Sequence, residues 1–394
     1  MKKTLLLFNA LVIMVCCINA QTFVNTSVEN KNVVLEEYTG IYCSWCPAGH
    51  KIAQDLYDAN PSDIVLINIH TGSFATPSAG DPDFTTQWGS ALATQSKLTG
   101  YPAGSVNRRT FASFASNGGS AMSRADWTSA SSTIMAESSC VNVAAQSSID
   151  ISTRVLTVNV EAYYTSNSTS NSNKLNVALL QNNLEGPQPG GSSHNATQVL
   201  PNGNYNHMHM LRHLITGQYG EDIDTTTTGT FISRTYTYTI PADLNSVAYD
   251  LFNMEVVVFM SEGNEDIISG SKSTMSFIVP AGTSLVDLEA SGNMANPSDY
   301  CASSITPSIK VKNNSSVAVP SFDVSYSING GTPVSNTIST SLASGGSTTY
   351  DFSSVSTTSG SNSISYSVSV SGSYYDSISS NNSVLGNSFN IMSN

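Results

Sequence analysis

The sequence predicts a multidomain protein in which an α/β unit is followed by two all-β sandwich units. A chain of 394 residues is too long for one compact core. Before about residue 138, buried-strand patterns alternate with helical spacing, whereas beyond Cys140 apolar and polar residues alternate as they do in half-buried strands. The expected boundaries are residues 1–20 for a signal peptide, 21–138 for the α/β unit, 139–283 for the first sandwich and 284–394 for the second.

The N-terminus predicts export. Lys2 and Lys3 precede the apolar run Leu5 to Ile18, and we expect cleavage after Ala20. No later apolar run approaches the roughly 20 residues that cross a bilayer as a helix. The net charge of −13 disfavours nucleic acid and anionic lipid as partners. We therefore expect an exported protein that is either free or held at a surface by another component.

Two cysteines separated by two residues stand where the first strand is followed by the first helix. The apolar run from Val33 ends at Gly40, and helical spacing begins after Pro47. The positive end of a helix favours a thiolate at Cys43, and Cys46, one turn deeper, can resolve a mixed disulfide. In an oxidising compartment this pair rests as a Cys43–Cys46 disulfide unless a reductant keeps it reduced.

This arrangement resembles the thioredoxin superfamily, and further matches follow along the chain. A second buried strand is expected over Asp63 to His70 and a helix over Asp83 to Leu98. The resemblance implies that Pro102 follows a cis peptide bond, faces the cysteine pair and helps to bind extended polypeptide. It also implies that Glu37 moves protons for the resolving cysteine.

Two departures from the thioredoxin pattern leave the redox potential open. The family has an aspartate where this chain has Glu37, and a Gly-Pro pair where this chain has Ser44 and Trp45. Beside the proposed catalytic residues, Trp45 and Tyr101 are expected to position the substrate.

Two further cysteines flank the expected boundaries. Cys140 and Cys301 either form a disulfide with each other that links the units or remain separate free thiols. The sequence does not distinguish these alternatives.

The first sandwich unit carries a run rich in histidine from Tyr205 to His213. In a single strand, His207 and His209 would share one face, and with His213 nearby they could ligate zinc or copper. No carboxylate or cysteine stands at a matching spacing, so we favour histidines that are hydrogen-bonded within a sheet or an interface. The loop of residues 186–191 is expected to fold over this run.

The last unit, residues 284–394, has strand patterns and a hairpin turn at Asn329-Gly330, which predict an immunoglobulin-like sandwich. Such a module more often binds a partner or separates other domains than it catalyses a reaction.

The layout resembles the outer membrane protein 28 family of surface proteins from Gram-negative bacteria. The residues that carry the likeness span about residues 30 to 280: Glu36 to Gly40, Cys43 to Pro47, His50, Tyr101 to Gly104, Asn107-Arg108, and His207 to Arg212. The resemblance implies a surface or outer-membrane location, with the periplasm as the other exported compartment.

Two functions from different classes follow. The first is an exported thiol–disulfide oxidoreductase that acts on protein thiols, with Cys43, Cys46, Pro102 and Glu37 as site residues. The second is a surface binding or adhesion protein in which the Cys43–Cys46 disulfide is structural. A disulfide that closes so short a loop stabilises little, which favours the redox hypothesis. No cofactor is expected.

Overall fold

The computed structural model describes residues 23–200, 202–292, 299–300, 304–386 and 388–391. The predicted signal peptide and Cys301 lie outside these residues, and so does any pairing between Cys140 and Cys301. The described α-helices are α1 (Cys46–Ala59), α2 (Gly89–Ser96), α3 (Trp127–Met135) and α4 (Gly191–His194). Short 3₁₀ turns occur at Ser73–Ala75, Arg124–Asp126, Ala196–Gln198, Leu251–Asn253 and Ser379–Asn381.

The strands fall into three groups along the chain. The first group is β1 (Val33–Thr39), β2 (Ile64–His70), β3 (Ala103–Val106) and β4 (Ala121–Ser123). The second group is β5 (Val141–Asp150), β6 (Val155–Tyr164), β7 (Asn173–Gln181), β8 (Leu184–Gly186), β9 (Tyr205–His207), β10 (Met210–Leu214), β11 (Glu221–Ile223), β12 (Phe231–Thr239), β13 (Asp243–Leu244), β14 (Val247–Ala248), β15 (Met254–Glu262), β16 (Ile267–Lys272) and β17 (Thr274–Ile278). The third group is β18 (Ser284–Val286), β19 (Leu288–Gly292), β20 (Asp299–Tyr300), β21 (Ser304–Ile305), β22 (Ser308–Asn313), β23 (Phe322–Ile328), β24 (Val334–Ile338), β25 (Ser347–Asp351), β26 (Val355–Ser356), β27 (Gly360–Asn362), β28 (Ile364–Ser369), β29 (Tyr374–Asp376), β30 (Ser383–Leu385) and β31 (Phe389–Ile391).

The first group of strands forms one end of a long sheet. Strands β1 and β2 are parallel, while β3 pairs antiparallel with β1 and β4 with β3. Both parallel strands are buried along their whole length, and the buried residues include Glu36 and Glu37 of β1 and Asn68 and His70 of β2. Val33 and Leu35 face helices α1 and α3, whereas Val34 and Tyr38 face the side that carries Leu92 of α2.

The same sheet continues into the second group of strands. Its order is β16-β15-β7-β10-β2-β1-β3-β4, with β11 beside β7. At the junction, Met210 pairs with Asn68, and the Asn68 N–H donates to the carbonyl oxygen of His209 at 2.7 Å. The domain boundary expected between residues 138 and 139 stays a prediction. Strands from before and after this boundary are hydrogen-bonded in one sheet.

A second sheet makes the sandwich. Its order is β12-β6-β5-β17, and it packs on β7 and β15 of the long sheet around a common apolar core. Strand β6 buries every second residue, as its sequence predicts, because its other face is outside this core. Strand β7 is buried on both faces, since Val177 and Leu179 enter the sandwich core while Ala178 and Leu180 face the α2 side.

The helix expected over Asp83 to Leu98 is shorter in the structure. Asp83 Oδ1 accepts hydrogen bonds from the N–H and hydroxyl of Thr85, which hold the chain in a turn. Phe84 is buried against Ile41 and Leu184. This segment is therefore an anchored loop, and α2 begins only at Gly89.

The third group of strands packs around its own core. The sheets β19-β22-β25 and β24-β23-β28-β30 enclose it, as expected for a β-sandwich. Asn329 (φ 52°) and Gly330 (φ 69°) form the hairpin turn between β23 and β24 at the predicted place.

Candidate functional site

The disulfide lies at the beginning of α1. Strand β1 ends at Thr39, and Cys46 is the first residue of the helix, followed by Pro47, whose missing N–H costs nothing at this position. Cys43 and Cys46 form a disulfide, and the Cys46 N–H donates to the carbonyl oxygen of Cys43 at 3.1 Å. Cys43 is 3% exposed and Cys46 0%. The disulfide thus lies at the strand-to-helix junction that the sequence predicts, and both of its cysteines are buried.

Pro102 and Glu37 meet the helix at Gly49, one turn beyond Cys46. The Tyr101–Pro102 peptide bond is cis, and Pro102 immediately precedes β3. A Cβ built on Gly49 would lie 2.6 Å from Glu37 Oε1 and 3.2 Å from both Pro102 Cβ and the Trp127 ring. Glycine is therefore needed where α1 passes over these three residues.

Glu37 is buried without a hydrogen-bond partner. The residue is 1% exposed, and neither carboxylate oxygen has a partner among the described residues. Burial raises its pKa well above the usual range, because a charged carboxylate would lose its hydration there. A carboxyl group with a raised pKa that packs against the disulfide helix can exchange a proton with a neighbouring group.

His50 links Glu37 to residues of the second group of strands. Asn195 Nδ2 donates to Tyr205 Oη at 2.8 Å, so the phenol hydrogen is free for His50 Nδ1 at 3.1 Å. We therefore assign the His50 hydrogen to Nε2, which lies 3.0 Å from Thr39 Oγ1 and 3.6 Å from Glu37 Oε1. Burial, with His207 nearby, lowers the pKa of His50 to about 3 and keeps the ring neutral.

A segment from the second group of strands covers the disulfide. We name residues 187–195 the lid. Gln188 Nε2 donates to the carbonyl oxygens of Cys43 at 2.7 Å and Gly40 at 3.3 Å. Gly190 (φ 79°) lies so close to Ser44 that a Cβ on it would overlap the Ser44 carbonyl oxygen. The lid therefore requires a glycine at 190 both for its backbone conformation and for its contact.

Two aromatic residues, Trp45 and Tyr101, are expected to position substrate, and Trp45 lies between the two cysteines. Trp45 is 55% exposed, and its ring stacks on His194 of the lid at 4.5 Å between centroids. The Arg124 guanidinium lies 5.3 Å from the same ring. Tyr101 packs edge-on against Phe74, whose side chain is also exposed. Trp45 is thus the exposed aromatic residue of the Cys-Ser-Trp-Cys motif, and the lid occupies one face of its ring.

The run from Tyr205 to His213 is not one strand, which corrects the expectation that His207 and His209 share a face. Strand β9 ends at His207 and β10 begins at Met210, while His209 between them has φ 52°. His207 packs against His70 at 5.3 Å between ring centroids, and burial lowers its pKa to about 4 against the opposing effect of the Pro187 and Gly186 carbonyls.

His209 instead joins an ion-pair cluster. Its Nδ1 lies 3.1 Å from Glu255 Oε2, with Lys272 Nζ at 3.4 Å from the same oxygen. Burial raises the pKa of Glu255, but the hydrogen bond and charge of His209 and the charge of Lys272 outweigh it and lower the pKa to about 2. His213 stacks on Tyr238. Among the described residues, no group of three or more His, Cys, Asp or Glu side chains is arranged to hold a metal ion.

Two other residues of the recognised motifs have structural contacts. Arg108 makes a two-point ion pair with Glu36, at 2.6 and 2.9 Å, and both side chains are buried. Asn107 Nδ2 donates to the carbonyl oxygens of Asn32 and Ile267, and its Oδ1 accepts from the Val34 N–H, so that this side chain joins β1 to β16. These residues hold the sheet beneath the site.

The sequence did not point to the lid as part of the disulfide site. Gln188, His194, Asn195 and Tyr205 stand about 140 or more positions after the cysteines in the sequence, and proximity of that kind leaves no local pattern. The available signal was the Gly-Pro-rich loop 186–191, expected to cover the histidine run; it covers the disulfide as well.

The described fold is a multidomain, mostly β architecture with a disulfide at a helix N-terminus. Residues 89–275 match the family model described as outer membrane protein Omp28, and residues 285–385 match the model described as CARDB. The first match spans a little under half of the chain, and it supports localisation at the outer membrane or cell surface. No helix of the described chain is long and apolar enough to cross a membrane.

Several solved structures are similar. HBP35 of Porphyromonas gingivalis is 16% identical, with 93% of this chain and 99% of that chain covered at a TM-score of 0.49. A protein from Agrobacterium tumefaciens is 11% identical, over 62% and 95% of the two chains, at 0.39. A domain of the outer membrane lipoprotein Omp28 from Porphyromonas gingivalis is 15% identical, over 35% and 90%, at 0.24. The comparison with curated proteins finds no match.

Proposed function

We propose that the protein is an exported thiol–disulfide oxidoreductase with a thioredoxin-like N-terminal part. The observation that carries the proposal is the Cys43–Cys46 disulfide at the first turn of α1, with Pro102 and buried Glu37 against the same helix. Support also comes from the parallel pair β1–β2 continued by antiparallel β3 and β4, with α1 and α3 on one face and α2 on the other.

The exchange moves two electrons and two protons. A client thiolate attacks Cys43 Sγ, the Cys43–Cys46 bond breaks, and Cys46 leaves as a thiolate that takes up a proton. A second client thiolate then attacks the mixed disulfide, so the client gains a disulfide while Cys43 and Cys46 become thiols. The reverse sequence reduces a client disulfide. Glu37, a buried acid of β1 that packs against α1 and whose pKa is raised by burial, supplies the proton.

The test uses the whole chain without residues 1–20, since the sheet runs across the two units. Reduced, unfolded ribonuclease A serves as the client, and its regain of activity is followed with the oxidised protein in excess. We expect disulfide transfer that is lost in Cys43→Ser and retained in Cys140→Ser, whose thiol forms no described disulfide.

The alternative is a surface binding protein with a structural disulfide, and the burial of both cysteines favours it. Failure of the wild-type protein to exchange with ribonuclease A, together with a disulfide that resists excess dithiothreitol, would replace the redox proposal by this one.

A further inference from the structure

We propose that the lid, residues 187–195, is a gate over the disulfide and that Gln188 is the residue that sets which partners reach Cys43. This inference rests on the proposed function for its meaning, but its structural basis is separate. Cys43 and Cys46 are buried, although they occupy a loop and a helix end at the rim of the sheet. The lid packs on the loop that carries Cys43, Ser44 and Trp45, and it does so from a distant part of the chain.

The lid contacts the Cys43 loop through the hydrogen bonds of Gln188, the backbone of Gly190 and the stacking of His194 on Trp45. Its inner side consists of Gln188, Gly191 and Asn195, whereas Pro189 and Ser192 are exposed. The side-chain hydrogen bonds from the lid to the Cys43 loop are the two that Gln188 Nε2 donates to Gly40 and Cys43. No apolar side chain of the lid takes part in the described core clusters. A cover held in this way can open at low cost, because little apolar area is exposed when it does.

Gln188 also carries an unsatisfied group in the closed state. Its side chain is buried, and Oε1 has no hydrogen-bond partner among the described residues. A buried polar oxygen without a partner destabilises the closed form and is relieved when water reaches it. The closed state is thus stabilised through the amide nitrogen and destabilised through the amide oxygen of one residue.

The other lid contacts explain what opening would release. His194 stacks on Trp45, so outward movement of the lid frees a face of this exposed indole beside Cys43. A client peptide that binds next to the disulfide could then use the ring. Asn195 remains joined to Tyr205 Oη, which gives the lid a fixed end on β9. The geometry fits a partner with an extended, solvent-exposed cysteine segment that enters in place of Gln188.

The experiment measures the rate at which dithiothreitol reduces the Cys43–Cys46 disulfide in the folded protein. Samples are quenched with iodoacetamide and resolved by mass. We expect Gln188→Ala to raise the rate about tenfold, which corresponds to the loss of the net contribution of its hydrogen bonds. Gln198→Ala is the matched control, since this glutamine lies just beyond the lid, and its rate should stay within about twofold of wild type.

Gln188→Glu separates the loss of the hydrogen bonds from the loss of side-chain volume, because glutamate has nearly the volume of glutamine but lacks the amide donor. It should accelerate reduction as the alanine variant does, and circular dichroism verifies that each variant is folded. Unchanged rates in both variants would overturn the gate. If both variants are reduced faster but the wild-type protein transfers no disulfide to ribonuclease A, the gate is supported and the oxidoreductase proposal is rejected. If the wild-type protein transfers disulfides but the reduction rates of the variants are unchanged, the oxidoreductase proposal is supported and the gate is rejected.

Discussion

Buried histidines beside the disulfide tie the stability of the protein to pH. His50, His70 and His207 are all buried, and their rings lie close together. Burial lowers the pKa of His50 to about 3 and of His207 to about 4, and it lowers the pKa of His70 well below its usual value. The rings of His50 and His207 are therefore neutral in the folded protein at pH 5, whereas in the unfolded chain they bind a proton there.

We therefore expect stability to fall as the pH is lowered from about 6.5 to about 4.5. A histidine whose pKa is lower in the folded than in the unfolded protein stabilises the fold above the unfolded pKa of about 6.5. This stabilisation is lost as the pH falls towards the folded pKa, with a slope of about 1.4 kcal/mol per pH unit for each histidine. Carboxylates with lowered pKa values, such as Glu255, lose their contribution only below this window. The raised pKa of Glu37 acts in the opposite sense, because its contribution is lost as pH rises through its folded value.

Urea unfolding between pH 7 and 4.5 measures this slope. In His207→Phe the slope should decrease by about 1.4 kcal/mol per pH unit, while Asn202→Ser, an exposed change nearby, should leave it unaltered. An equal slope in wild type and His207→Phe would contradict the assignment of His207 as a buried neutral ring.

At the scale of elements, helix α1 depends on a glycine where it crosses the sheet. Alanine is ordinarily the better helix residue by about 1 kcal/mol. At Gly49, however, the added methyl would press on the side chains of Glu37, Pro102 and Trp127, and all three are buried and have little room to move away. We expect Gly49→Ala to lower the free energy of unfolding by about 1–3 kcal/mol.

Thermal or urea unfolding tests this, with Gly100→Ala as control because a Cβ there meets nothing within 4 Å. Helix propensity alone would make Gly49→Ala more stable, whereas the packing contacts make it less stable, so the sign of the measured change decides between the two effects. A stabilised Gly49→Ala variant would show that α1 can move away from Glu37.

The elements also show how far sequence reasoning reaches. Local signals identified Cys43, Cys46 and Pro47 at the start of α1, because capping, periodicity and motif spacing all act within a few residues. The same reasoning overextended α2, since the hydrogen bonds of Asp83 and the burial of Phe84 are tertiary effects. The sequence could not identify Gln188 as a site residue, because its contact with Cys43 is also a tertiary effect. Its role depends on a contact across 145 positions.

For the whole molecule, the decisive feature is the sheet shared by the first two groups of strands. The core cluster that contains Val34 and Ile67 also contains Leu180, Leu211 and Phe259 from beyond residue 139. A fragment of residues 21–138 would expose this apolar surface and the unpaired edge of β2.

We expect residues 21–138 to lack a cooperative unfolding transition and residues 21–283 to show one. Circular dichroism during urea unfolding distinguishes the two fragments. The longer fragment is the control, because it ends before β18 and leaves out the separate core of the third group. A cooperative transition in residues 21–138 alone would restore the boundary that the sequence predicts.

The distance along the chain between Gln188 and Cys43 has an evolutionary consequence. A genetic crossover between two related genes anywhere within those 145 positions would combine the cysteine motif of one parent with the cover of the other. Hybrids whose parents differ at the Gln188 contact would inherit a mismatched pair, so the two segments are expected to be inherited as one unit.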